Sequence, residues 1–465
     1  MKNNTEQTNS FPKARTALAL LLCINLFNYI DRQVLAAVVG PIKKSFFGQG
    51  AAGALASPFL SNVIAWFQDK LGFKPEDALL GLLGTSFMLI YMVSAPVFAR
   101  MAATMSRWGI VALGVTLWSL ASGASGLAPT FLVLLFTRCF VGIGEAAYGP
   151  VAPDIISDLY PVQSRGRVLA WFYVAIPVGS ALGYVLGGLI ANSGIGALGG
   201  RLIGIETESW RWAFFLVTVP GIALGLRSMF MREPRREAFT QSSKTKKTAI
   251  PWRQYGILLR TPSYVLCTLG MTAMTFAIGG IGFWMPYYLE NKPGAPAHST
   301  ILFGAVTAAA GLCATLLGGI AGDKLRTRFP GSYFLVSGAA MIAGFPIFFA
   351  ALYAPFPWAI WVLIFLTCFC LFFNTGPTNT ILANVTHPSM RAIGFALNIF
   401  VIHALGDVIS PVIIGLLNDR YKDMNKSFVV VGVMFLVAGI FWMAGIRFLQ
   451  RDTANAQKPH SQGRH

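Results

Sequence analysis

Twelve continuous apolar runs, each long enough to cross about 30 Å of hydrocarbon as a helix, recur along this chain and leave it few possible folds. In lipid, only helices and closed barrels satisfy their own backbone hydrogen bonds. The alternation of a barrel strand is absent, so the expected fold is an all-α integral membrane protein with twelve transmembrane helices. Hydrophobic residues make up 55% of the chain and charged residues 12%, which excludes a soluble enzyme. Residues 1–15 are polar, and the first apolar run is too long, and too polar at its centre, for a cleaved signal peptide.

A net charge of +18 would suit a nucleic-acid binder, but its distribution points elsewhere. With the N-terminus inside and the spans alternating, 24 of the 36 Lys and Arg residues fall inside and 10 outside, leaving Arg32 and Arg138 within the membrane. That bias places both termini in the cytoplasm, the chain in a cell (inner) membrane, and no nucleic acid among its partners. Cys23, Cys139, Cys267, Cys313, Cys368 and Cys370 all lie in apolar runs without metal-ligand spacing. They read as small apolar filler, and no metal or cofactor is expected.

Span 1, Ala17–Ile42, carries Asn28-Tyr29-Ile30-Asp31-Arg32 at its centre. Asn25, Asn28 and Arg32 share one helical face, flanked by Tyr29 and Asp31. Charges at that depth persist only when they face a bundle interior or water, so the stripe reads as the lining of a pathway. The plainer alternative is a polar knot that glues neighbouring helices. Span 4 places Arg138 and Glu145 on one face, two turns apart. Asp31, Glu145 and Asp407 are the acids at membrane depth, and they are the candidates for proton coupling. His403, one turn before Asp407, is either a relay partner or a satisfied packing residue. Asn374, Thr375, Thr378 and Asn379 form a second polar patch in span 10. The candidate substrate-binding residues are therefore Asn28, Tyr29, Arg32, Arg138, Asn374, Thr378 and Asn379. Asp31 beside Arg32 is neutral as a pair, and an anionic substrate that takes the arginine obliges a proton to neutralise the freed carboxylate. No nucleophile–base constellation appears, so an enzyme is not expected.

Between spans 1 and 2 a long loop (48–77) contains an amphipathic pattern in which Phe59, Leu60, Val63, Ile64, Phe67 and Leu71 recur at helical spacing. Ser57 as cap and Pro58 at the first helical position mark its start. Such a helix lies in the outer headgroup layer, covers the mouth of a cavity, or simply packs on its loop. In span 5, Gly179, Gly183 and Gly187 repeat every four residues, the spacing of close helix packing. Gly279, Gly280, Gly282 and Pro286 are expected to bend span 7. Residues 232–262 are polar and basic, and read as a cytoplasmic linker between an N-terminal half (1–231) and a C-terminal half (263–449). A disordered tail is expected over 450–465.

Two six-span halves joined by a basic loop resemble the major facilitator superfamily, whose pseudo-symmetric halves rock against each other. The end of span 8 is similar to that superfamily's loop motif in Gly319, Asp323, Lys324 and Arg328. The equivalent loop after span 2 keeps Arg107 but has Ala103 where the acid normally stands, which implies a weakened latch in the N-terminal half. Four narrower segments resemble the Spinster-like transporters: Asn28–Arg32, Arg138–Ala146, Ala175–Tyr184 and His403–Pro411. The first also occurs in organic-anion/cation symporters, and the last is the more specific. The resemblance implies a monomeric, proton-coupled transporter whose partners are a small-molecule or lysolipid substrate, protons and membrane lipids. The alternatives are a proton symporter for a small organic anion and, more distantly, a membrane sensor.

Overall fold

The structure, a computed structural model, describes residues 11–48, 57–102, 104–160, 162–196, 199, 207–233, 252–293, 296, 298–387 and 390–457. Ala103, residues 49–56 of the long loop, residues 234–251 of the basic linker and the tail from 458 lie outside the described residues. Within them the chain is a multi-pass, all-α membrane protein with twelve helices long and apolar enough to cross a bilayer. Spans 1 to 6 are Ala14–Ala37, Glu76–Met101, Arg107–Gly126, Phe131–Leu159, Trp171–Ala191 and Ser209–Met229. Spans 7 to 12 are Pro262–Asn291, Ser299–Arg326, Ser332–Tyr353, Pro357–Val385, Ile393–Tyr421 and Met424–Ala456.

The chain forms two compact units, Met1–Lys246 with Phe283–Ala305, and Lys247–Gly282 with Val306–His465. In the first unit, span 5 packs along span 1 through the small residues expected to do so. A Cβ on Gly179 would meet the Leu26 carbonyl at 2.7 Å, and one on Gly183 the Ile30 carbonyl at 2.6 Å. Only a glycine lets the two backbones approach that closely. The end of span 7 and the start of span 8 belong to this unit, with Phe303 edge-on to Tyr184 at 5.1 Å. In the second unit, Phe348 of span 9 stacks on Phe435 of span 12 at 5.6 Å. Trp442 donates its indole N–H to the Cys267 carbonyl at 3.2 Å, fixing span 12 to span 7.

Several local expectations shift. Pro286 leaves span 7 a continuous helix, Pro262–Asn291. Interruptions fall in span 4, where helix Phe131–Tyr148 gives way to Val151–Leu159, in span 10, where Pro357–Phe372 gives way to Thr375–Val385, and in span 11, where His403–Asp407 is a π-helical turn. The helix Pro58–Leu71 forms as the pattern predicts, but Ser57 makes no side-chain cap, and proline at the first position sets the start. Helix also continues through 450–456, because buried Asp452 accepts the Ser263 backbone N–H at 2.9 Å and ties span 12 to span 7.

Candidate functional site

Span 4 is inserted between spans 2 and 3 by the two glycines that precede Glu145. A Cβ on Gly142 would meet the Phe87 carbonyl of span 2 at 2.5 Å. One on Gly144 would meet the Trp118 amide of span 3 at 2.6 Å. Because Gly142 and Gly144 lack side chains, the helix sinks deep enough for Glu145 to reach span 1. There Arg32 Nε donates to Glu145 Oε2 at 2.6 Å, a charge-assisted bond between helices with Glu145 fully buried. Three rings cage the Arg32 guanidinium: Tyr29 at 5.0 Å, Phe87 at 5.1 Å and Tyr91 at 5.0 Å. Each lies within the distance at which a cation is attracted to a ring face.

Asp31 does not pair with its neighbour Arg32, and this corrects the expected neutral pair. Successive residues on a helix diverge by about 100°, so the two side chains leave span 1 toward different partners. Asp31 Oδ1 accepts the Ser122 hydroxyl of span 3. Arg138 is buried between the Phe87 ring at 5.7 Å and the Phe214 ring at 6.0 Å, and its charge acts on both Asp31 and Glu145. Asp31, Arg32, Arg138 and Glu145 thus converge. The group is incompletely satisfied: Asp31 Oδ2, Glu145 Oε1, and Arg138 Nε and Nη1 are buried without hydrogen-bond partners among the described residues. Asn28 is buried on the same span, and Asn25 donates to the Phe172 carbonyl of span 5 at 2.8 Å.

The second unit's candidates are tied more locally. His403 Nδ1 lies 2.9 Å from Asp407 Oδ2, a contact common to a relay partner and to a satisfied packing residue. Gly279 makes room for them, since a Cβ there would meet the Asp407 Cβ at 2.6 Å. Asn374 and Thr378 are buried, but Asn374 donates to the Cys370 and Leu371 carbonyls and Thr378 to the Asn374 carbonyl. Asn379 donates to the Thr375 carbonyl at 2.8 Å. The donors of all three are engaged by their own helix, which a polar patch in a sequence does not reveal.

The loop residues also redistribute. Arg107 is buried and bonds Asp154 at 2.9 Å, Asp158 at 2.7 Å and Glu233 at 2.6 Å, acids from beyond its own loop, while its Nη2 is buried without a hydrogen-bond partner among the described residues. At the end of span 8, Asp323 accepts the Tyr333 hydroxyl at 2.8 Å, and Arg326 lies over the Tyr333 ring at 5.5 Å. Lys324 and Arg328 are exposed and make no side-chain hydrogen bond or ion pair among the described residues. Gly319 has open space at its Cβ position, while Gly318 sits against the Phe373 carbonyl of span 10 and Gly322 against the Tyr333 ring. Ser122, Phe87, Tyr91, Tyr333 and the three partners of Arg107 carry no signal in the sequence, since each is defined by a neighbour on another helix.

The twelve-span fold agrees with the class that the family comparison defines: a family model described as Major Facilitator Superfamily matches residues 21–411. Protein spinster homolog 1 of Rattus norvegicus is 31% identical over 96% of this chain and 83% of its own length. The chain belongs to the Spinster family of that superfamily, a family of membrane transporters. The sphingosine-1-phosphate transporter SPNS2 of Danio rerio is 29% identical over 96% of this chain and 86% of its own. Among solved structures, a bacterial homologue of the human lysosomal transporter Spinster, inward-facing and unoccupied, superposes with TM-score 0.79 at 23% identity. It covers 95% of this chain and 98% of that one. A D-xylose–proton symporter shares the fold at TM-score 0.68 and 16% identity, over 91% of this chain and 96% of its own.

Proposed function

We propose that this chain moves an amphipathic, lysolipid-like anion across a cell membrane in exchange for, or together with, protons, by alternating access. The observation that carries the reading is the buried Arg32–Glu145 pair, made between two spans and closed over by three aromatic rings. A charge at membrane depth needs a partner at every stage of a transport cycle. When an anionic headgroup takes Arg32, Glu145 loses its counter-ion and is neutralised by a proton instead of remaining charged in the apolar interior. The proton carrier is therefore Glu145, with Asp31 held by Ser122 and by the field of Arg138. The aromatic cage offers an apolar wall for an acyl chain beside a cation for the headgroup. One relative is named as a transporter of sphingosine-1-phosphate, an anionic lipid of that chemistry. Both termini face the cytoplasm in this reading.

The test is proton flux in proteoliposomes on adding a lysophospholipid or a small organic acid. Flux driven by the lysophospholipid, and abolished in Glu145→Gln, is expected. Flux with the organic acid alone sinks the lipid reading. The His403–Asp407 contact supports a second reading in which Asp407 carries the proton. That reading predicts accumulation lost in Asp407→Asn and kept in Glu145→Gln.

A further inference from the structure

A cavity of about 250 Å³ opens in the second unit where spans 8, 9, 10 and 12 end together. Its wall carries Arg326, Tyr333, Asn384, Gln450 and Thr453, with Leu449 buried at its side. The side chains of Asn384, Gln450 and Thr453 make no hydrogen bond among the described residues, although each can donate one or more. Arg326 spends one N–H on the Tyr333 hydroxyl oxygen at 3.4 Å and keeps the rest. Tyr333 turns its own proton to Asp323 at 2.8 Å, so that carboxylate is engaged behind the ring. The other nearby acid, Asp452, accepts from the Ser263 amide and from Arg451. What faces the cavity is thus one guanidinium and three neutral groups able to donate. Outside it, Arg447 and Arg451 lie over the Phe448 ring at 4.6 and 5.3 Å, with Lys324 and Arg328 exposed nearby in sequence.

A single cation ringed by unpaired donors suits an anion with several acceptor oxygens, and a guanidinium meets phosphate through two parallel bonds. The volume holds a phosphate group and its first attached atoms, and falls below the roughly 300–1,000 Å³ of sites that enclose whole small molecules. The cavity lies at helix ends, where basic side chains meet the anionic surface of a bilayer. We propose that this cavity is a phosphate-binding site, separate from the Arg32–Glu145 cluster, which takes either the headgroup phosphate of an anionic membrane lipid or a soluble phosphate. The assignment does not rest on the transport reading, and it is tested by binding alone.

The experiment uses the full chain in detergent, with native mass spectrometry and thermal melting as readouts. Phosphatidylglycerol, phosphatidylcholine and inorganic phosphate are added separately, to wild type, Arg326→Gln and Gln450→Leu. Retention of phosphatidylglycerol over phosphatidylcholine, with affinity falling about tenfold or more in Arg326→Gln, is expected from the loss of charged hydrogen bonds. Displacement of that lipid by millimolar inorganic phosphate assigns the site to soluble phosphate, and no displacement assigns it to lipid. Equal binding of phosphatidylglycerol by all three proteins overturns the proposal, as does an equal response to phosphatidylcholine. If Arg326→Gln does not fold, Gln450→Leu decides the matter by the same comparison. Running the series in a Glu145→Gln background keeps the outcome independent of transport.

Discussion

The two units hold their candidate site residues in opposite ways. In the first, the bonds run between helices: Arg32 of span 1 to Glu145 of span 4, and Asp31 of span 1 to Ser122 of span 3. In the second, the candidates bond within their own span: His403 to Asp407, Asn374 to Cys370 and Leu371, and Asn379 to Thr375, while the bonds that cross between spans there, such as Asp452 to Ser263 and Asn398 to Thr268, involve other residues. A bond between helices changes when one span moves against another, whereas a bond inside a helix is carried along unchanged. The candidate charges of the first unit are thus placed to register a helix movement, whereas His403 and Asp407 move together. Backbone irregularities occur in both, the break in span 4 after Tyr148 in the first unit and the break in span 10 and the π-turn in span 11 in the second.

That contrast can be broken most forcefully at Arg32. Arg32→Ala leaves Glu145 buried without its cation, and a loss of about 3–5 kcal/mol is expected, read as a fall in the thermal midpoint. Replacing both partners with leucine restores most of the stability but no transport, because the charge exchange has gone. A double variant that still concentrates substrate would falsify the role given to the pair. Next in size is the span 1–span 5 contact that carries Asp31 and Arg32 into place. Gly183→Ala puts a methyl against the Ile30 carbonyl and should cost about 1–3 kcal/mol through overpacking. An unchanged melting curve would mean the spans are less tightly apposed than the geometry states.

Arg107→Ala removes one buried cation from three carboxylates that are each a third or more exposed, Asp154, Asp158 and Glu233. Solvent screens those acids, so about 1–2 kcal/mol is expected, and the difference from wild type should shrink in 1 M salt. A difference that does not respond to salt would point to packing rather than charge. His403→Ala should have the smallest effect, below about 1 kcal/mol, as for other partly exposed pairs one turn apart. Gradient-driven accumulation should survive it. Its loss in His403→Ala would move the proton carrier to the second unit and erase the contrast.

Much of this was legible in the residues. The apolar runs dictated twelve helices because a bilayer tolerates almost nothing else. The depth of Asp31, Arg32, Arg138 and Glu145 singled them out, since a charge there is too costly to be incidental. The spacing of Gly179, Gly183 and Gly187 marked a close helix contact. What the residues could not contain was pairing. Adjacent Asp31 and Arg32 look like a neutral couple in a line of text, yet the turn of the helix sends one to span 3 and the other to span 4. Arg107, next to a missing acid at Ala103, looks unpartnered, yet three carboxylates from distant positions enclose it. Helical periodicity fixes which way a side chain leaves its own axis, and so it determines the fold class and the candidate charges. Which neighbour waits there depends on how the glycines let the helices approach, and only the tertiary structure decides that.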